Sequence, residues 1–405
     1  MTTAQLAING GTPVFQGASA NSFAPEWPPS FPEIEEKLLE VYRSHQWGGC
    51  KKFEQQLMVE YAAWQGAKYS VFMANGTVTL ECALLALGVG PGDEVIVPGV
   101  SWMATAQAPL YVGAKTVMVD IDPDTMCIDP ARIEEAITSR TKAIIPVHLF
   151  SSVADMDKIK AIAKKHGLFI VEDCAHAHGA RQHGVGVGSL GDIGSFSFQS
   201  SKLMTAGEGG CCTTNDEKYA DYLFRASHIG GSRLFPGVKP PMGLMCHQYR
   251  LTDFQAAIIL GQLAHQDEMK QKRLTQFHRL EKLLSKTPGI MLQKSAFQDD
   301  ERAFYFACFL LKPEQLKADA DRATIQKALE AEGVFLNIGW GYPIYDMPMW
   351  NISPETYEKK ETPVCEDTIY RRQLVCTGNI LLADNDVIDK FAEAIDKVMR
   401  YYSAN

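Results

Sequence analysis

The sequence predicts an α/β protein, a mainly parallel sheet covered on both faces by helices and followed by a smaller α+β unit. Three observations carry this expectation. From residue 68 onward, short Val/Ile-rich runs alternate with helical patterns. The runs are apolar throughout rather than every second residue, which fits strands buried on both faces. Toward the C-terminus the alternation gives way to one apolar run, "AFYFACFLL", set among helical patterns.

The elements follow in order. "AKYSVFMAN" is a strand followed by the helix "TVTLECALLALG", and "DEVIVPG" a strand followed by "SWMATAQAPLYVG". "AKTVMVDI" leads into "DPARIEEAITS", "TKAIIPVHLF" into "ADMDKIKAIAKKHG", and "LFIVEDC" is the next strand. A long helical pattern from Leu251 to about Lys286 ends at "TPG". Beyond it lie the strand "AFYFACFLL", the helix "DRATIQKALEAEG" and a closing helix "NDVIDKFAEAIDKVMRYY". The expected division is an N-terminal arm (1–30), a large domain (31–265) and a small C-terminal domain with the linking helix (266–405). A chain of 405 residues exceeds one simple core, in keeping with that division.

Composition narrows the function classes. A net charge of −9 argues against nucleic acid as the main partner, since phosphate binding needs concentrated basic surface. No apolar run approaches the ~18–20 residues that cross a bilayer. "MTTAQLAINGGTPV" has neither the basic segment nor the apolar stretch of a secretory signal, so a cytoplasmic location is expected. The ten cysteines form no C-x-x-C pairs and read as small buried residues of a reducing compartment. His176, His178 and His183 in "HAHGARQH" lack supporting cysteines or a helical i, i+4 pair, so no metal site is expected. "GVGVGSLG" literally fits G-x-G-x-x-G, but it follows the polar "ARQH" instead of a strand, which argues against a dinucleotide site.

Chemistry is expected where parallel strands end. In "MANGTVTLE", Asn75, Gly76 and Thr77 stand between strand and helix, where free N–H groups and a hydroxyl hold a phosphate or simply cap the helix. In "LFIVEDCAHAHGA", Asp173 closes an apolar run, so its desolvated carboxylate needs a cationic or N–H partner. In "SFSFQSSKLMTAGEGG", Ser197 and Lys202 flank a turn before a glycine cluster. A lysine among small and apolar residues loses solvation, and its amine becomes nucleophilic. A phosphate cradle, a buried carboxylate, a serine and a lysine together match the needs of pyridoxal phosphate: phosphate binding, an acid for the pyridine nitrogen and an amine for the aldehyde.

On these blocks the sequence resembles the DegT/StrS family of sugar and cyclitol aminotransferases, pyridoxal-phosphate enzymes of the aspartate-aminotransferase fold. The likeness runs from "LAINGGTPV" through "WGGCKKFEQQL" to "NILLADNDVIDKF" and is most specific in "NGTVTLECALLALGVGPGDEVIVP", "VEDCAHAHGA" and "SFSFQSSKLMTAGEGG". The resemblance implies that Lys202 bonds the cofactor and shuttles protons, and that Asp173 pairs with the pyridine nitrogen. Gly76, Thr77 and Ser197 would hold the phosphate, Trp102 would stack on the ring, and His176 would sit beside the ring hydroxyl. It also implies a homodimer with shared sites, in which Gln248 and Arg250 of "HQYRLTDFQAA" complete the neighbour's pocket. Gln248 stands where the family has asparagine.

The activity implied is transfer of an amino group from L-glutamine or L-glutamate to a keto-sugar or inosose-like keto-cyclitol, ping-pong through pyridoxamine phosphate. "FSFQ", "KLMTAGEGG" and "AHAHGA" look closest to inosose aminotransferases and aminohydroxybenzoate synthases. A dehydratase/aromatase of the synthase kind and a nucleotide-keto-sugar aminotransferase are the alternatives.

Overall fold

Apolar runs separated by capped helices build a layered architecture in the computed structural model, which describes residues 5–404 apart from 234–235, 241–243, 245 and 299–300. The strands are β1 (Tyr69–Met73), β2 (Glu94–Pro98), β3 (Lys115–Val119), β4 (Thr141–Ile144) and β5 (Phe169–Asp173). They continue with β6 (Arg181–Gln182), β7 (Val185–Gly186), β8 (Ile193–Ser197), β9 (Gly210–Thr214) and β10 (Ile290–Leu292). β11 (Phe306–Leu311), β12 (Tyr357–Lys359) and β13 (Gln373–Thr377) follow. An eight-stranded sheet runs β1-β9-β8-β5-β4-β2-β3-β12, and only the ladders of β9 are antiparallel. The chain is α/β, as the sequence predicts.

Each strand feeds both faces. In β2, Val95 and Val97 join one buried apolar cluster while Ile96 joins another. This explains why the run "EVIVP" shows no polar alternation. In the smaller antiparallel sheet, β10-β11-β13, Ala307 and Phe309 pack with Phe391 and Ile395 of the amphipathic helix Asn385–Tyr402. Cys308 and Leu310 face the cluster that contains Ile96. The short strand β12 extends the large sheet at β3, although it comes from the C-terminal part of the chain.

The expected single long helix from Leu251 is instead two helices, Asp253–Leu263 and Gln266–Leu284. Thr252 and Gln255 form a capping box that starts the first. At the break, His265 stacks on Phe31 with ring centroids 3.8 Å apart and bonds the Glu33 carboxylate, contacts that favour the turn over a continuous helix.

The glycine run at 186–191 does cradle an anion, but the anion is the chain's own Glu172. Its carboxylate accepts from the N–H groups of Gly188, Leu190 and Gly191 and from His148. Among the described residues no helix is long and apolar enough to cross a membrane.

Candidate active site

Because β1, β2, β5 and β8 run in parallel, their carboxyl ends share one edge of the sheet. There the segments Asn75–Thr77, Ser101–Thr105, Asp173–His176 and Ser197–Lys202 close on a cavity of about 360 Å³. This is where an open α/β sheet leaves room for a ligand.

The corner after β1 is built by close packing. Asn75 caps the helix Gly76–Ala86, its side chain accepting from the N–H groups of Thr77 at 3.1 Å and Val78 at 3.0 Å. Of the two uses the sequence leaves open for these N–H groups, holding a phosphate or capping the helix, the cap engages both donors. Gly76 and Thr77 still line the cavity together with Ser197. A Cβ on Gly76 would lie 2.8 Å from Ser197 Cβ, and one on Gly210 would lie 2.3 Å from the Asn75 carbonyl oxygen. Glycine at both positions brings the helix start against the ends of β8 and β9.

Asp173 ends β5 and is 5% exposed. Its carboxylate accepts from Thr105 Oγ1 at 2.7 Å and from Ala175 N–H at 3.1 Å, and Thr105 Oγ1 lies 2.7 Å from Ser101 Oγ. Burial pushes the Asp173 carboxyl up, while the Thr105 and Ala175 hydrogen bonds and the Lys202 charge work the other way.

Lys202 is largely buried in the β8–β9 turn, which is closed by its own N–H donating to Gln199 O at 2.8 Å. Its Nζ lies 4.5 Å from the centre of the Tyr305 ring. Burial lowers the Lys202 amine to about 8, and only the Asp173 charge opposes that shift. A larger share of the amine is neutral near pH 8 than in an ordinary lysine, which makes it a competent nucleophile and base.

His176 is buried, accepts from Phe150 N–H through Nδ1 at 3.3 Å, and stacks on Tyr305 with centroids 4.1 Å apart. Burial, with the Lys202 charge, holds its imidazole well below the usual range, so the ring is neutral. Trp102, 45% exposed, forms an outer wall opposite Trp340. The other two histidines of "HAHGARQH" are turned elsewhere. His178 bonds Tyr61 and the Ser197 carbonyl, and His183 pairs with Asp157.

The structure thus brings Gly76, Thr77, Trp102, Asp173, His176, Ser197 and Lys202 into one cavity, and it does not bring Gln248 or Arg250 there. Both lie on an extended segment whose backbone bridges His228 and Met73. Among the described residues the Arg250 side chain has no hydrogen-bond or ion-pair partner. Sequence reasoning missed Thr105, Tyr305, Trp340 and Glu208, which also line the cavity. Thr105 had a signal, four residues after Ser101 at a helix start. Tyr305 and Trp340 had none, because they reach the cavity from the segment before β11 and from the loop before β12.

The sequence profile of the DegT/DnrJ/EryC1/StrS aminotransferase family matches residues 31–391. The chain belongs to this family. It is an aminotransferase, and its relatives agree in length as well as sequence. The L-glutamine:2-deoxy-scyllo-inosose aminotransferase of Streptoalloteichus tenebrarius is 36% identical over 98% of both chains. The L-glutamine:scyllo-inosose aminotransferase of Streptomyces griseus is 35% identical over 97% of both. Among solved structures, 3-amino-5-hydroxybenzoic acid synthase superposes with a TM-score of 0.81 at 30% identity, covering 93% of this chain and 99% of its own. The fold expected from the sequence, a large mainly parallel sheet with a smaller C-terminal unit, is the fold of that structure.

Proposed function

We propose that this aminotransferase uses pyridoxal phosphate to move an amino group from L-glutamine, or L-glutamate, to the keto group of an inosose-like cyclitol. The observation that carries the reading is the pairing of a largely buried Lys202 amine, lowered to about 8, with the buried Asp173 carboxylate in one cavity. The names of the glutamine-dependent inosose aminotransferases support the donor and acceptor classes.

The residues fit the cofactor. Ser197, Gly76 and Thr77 offer donors to a phosphate at the helix start, and Gly76 admits it close to the backbone. When bound, the cofactor supplies an electron sink for carbanion chemistry. Asp173 would hold a proton at the ring nitrogen by its negative charge. Lys202 Nζ would be the group that takes up and returns the transferred proton. Neutral His176 offers a hydrogen bond without adding a positive charge beside Lys202. Trp102 covers the open side and keeps water from the reacting face. Tyr305 and Trp340 present aromatic surface to the C–H face of a cyclitol, and Glu208 offers a carboxylate to its hydroxyls.

The direct test loads the protein with pyridoxamine phosphate and screens keto-sugars and inososes for recovery of pyridoxal-form absorbance. Recovery with an inosose is expected, and recovery only with nucleotide-linked keto-sugars would overturn the acceptor class.

The donor also carries an α-carboxylate, and Lys202 is the one lysine or arginine among the described cavity-lining residues. Arg250 of a second copy is the cation that fits, so the site is read as shared in a homodimer. Mixing inactive Lys202→Ala with inactive Arg250→Ala chains is expected to restore activity, because each heterodimer then holds one intact site. Verified subunit exchange without recovered activity rejects the shared site.

A further inference from the structure

Cys50 and Glu54, close neighbours in the sequence, meet the distant His228 behind the segment that carries Arg250. Cys50 precedes the helix Lys52–Gln65, Glu54 lies in its first turn, and His228 follows the helix Glu217–Ser227. The Cys50 Sγ, a Glu54 carboxylate oxygen and the His228 imidazole nitrogen all lie within 4.8 Å of one another.

Glu54 is wholly buried, yet neither carboxylate oxygen has a hydrogen-bond partner among the described residues, and His228 Nε2 is likewise unpartnered. A buried carboxylate left this way is costly unless something cationic meets it. The tautomer sharpens the point. His228 Nδ1 lies 3.1 Å from the Phe224 carbonyl oxygen and 2.9 Å from Ser227 Oγ; with the Ser227 hydroxyl donating to the Leu223 carbonyl at 2.8 Å, both neighbours accept and in the neutral ring the proton is on Nδ1. Nε2 then turns its lone pair toward Glu54 Oε1 at 3.6 Å, acceptor against acceptor.

A metal ion resolves that conflict. With Zn–N and Zn–O bonds of about 2.0–2.2 Å, a tetrahedral zinc site has an N···O edge of about 3.4 Å, close to the spacing observed. Cys50 Sγ offers the soft donor, and coordination would release its proton. The Met58 thioether, 3.8 Å from Cys50 Sγ, adds a second soft atom. The Asp253 carboxylate lies at the same helix start, accepting from Phe53 and Glu54 N–H groups, and adds negative charge. Arg233 donates to Cys50 Sγ at 2.9 Å, but it is exposed and can swing to solvent when a cation arrives.

A second Cys/His/Glu cluster among the described residues, His148, Glu172 and Cys174, lacks this character. Its Glu172 and both nitrogens of His148 are already hydrogen-bonded within the fold.

We propose that Cys50, Glu54 and His228 form a site for a borderline-soft divalent cation of the zinc class, pinning the strand that carries Gln248 and Arg250. The connection to that strand is direct: His228 bridges Gln248, Ala226 O accepts from His247 N–H at 2.6 Å, and Ser227 O accepts from Tyr249 N–H at 3.1 Å. The sequence reading, which expects no metal, weighs the histidines of "HAHGARQH" and has no means of seeing a site assembled from two distant segments.

The test uses the full chain after chelator dialysis. One Zn²⁺ per chain is expected to bind in the presence of excess Mg²⁺, and Co²⁺ is expected to give a thiolate-to-metal charge-transfer band. Cys50→Ser should abolish that band, and His228→Asn should weaken Zn²⁺ binding at least ~10-fold. In the unsubstituted chain, Zn²⁺ but not Mg²⁺ should protect Cys50 from alkylation, read by mass spectrometry of its peptide. This keeps the proposal testable if a variant fails to fold. Absence of stoichiometric uptake, uptake unchanged in both variants, or Cys50 alkylation indifferent to Zn²⁺ each overturns it.

Discussion

Lys202→Ala is expected to abolish turnover and the visible absorbance of bound cofactor while the protein stays folded. The turn that presents the lysine is closed by its backbone N–H to Gln199 O, and by Gln199 Oε1 accepting from Ser201, so it does not depend on the side chain. The amine supplies what the neighbouring hydroxyls cannot, a base that is substantially neutral near pH 8. The same burial makes a stability prediction for the cofactor-free chain. The folded value of about 8 is below the ordinary 10.5, so the folded state binds fewer protons than the unfolded state between those values. The cost of the buried amine is complete below pH 8 and disappears as pH rises toward 10.5. Cofactor-free Lys202→Ala should therefore melt above the unsubstituted chain at pH 7, and the gap should close by pH 10.5. Normal turnover in the variant rejects the assignment, and a gap that is constant with pH rejects the buried-amine account.

The second large effect belongs to Asp173→Asn, expected to slow single-turnover amino transfer by roughly 10²–10³-fold, about 3–4 kcal/mol for one strong electrostatic contact. The substitution is a clean probe because the neighbouring hydroxyls can reverse. Thr105 Oγ1 bonds both Asp173 and Ser101, so it can accept from an amide while donating to Ser101. The amide oxygen still accepts from Ala175 N–H. The geometry stays and the charge goes, so cofactor should still bind. A nearly unchanged single-turnover rate would show that another group holds the ring nitrogen.

Much of this site was legible because its residues sit at the ends of local patterns. "LFIVED" and "SFSFQSSK" announce a strand and then break it with a polar group, and the parallel order of the sheet does the rest. Residues that arrive from a distance were not legible. Tyr305 looks like part of the apolar run that becomes β11, and Trp340 sits in the turn-rich "NIGWGYP" with no periodicity to place it. The long helix read from Leu251 failed for a related reason. Its break at His265 is set by Phe31 and Glu33, more than two hundred positions earlier in the chain.

The position of Tyr305 and Trp340 bears on how such an enzyme changes over generations. The groups expected to grip the cofactor belong to the loops of the large sheet, where glycines at 76 and 210 leave no room for variation. Tyr305 and Trp340, proposed to face the acceptor, come instead from the segments before β11 and before β12. Selection can therefore reshape the acceptor side by substitutions near 305 and 340 while the amine-transfer apparatus is inherited intact. One ancestral chemistry can then diversify across polyhydroxylated ketones without being reinvented.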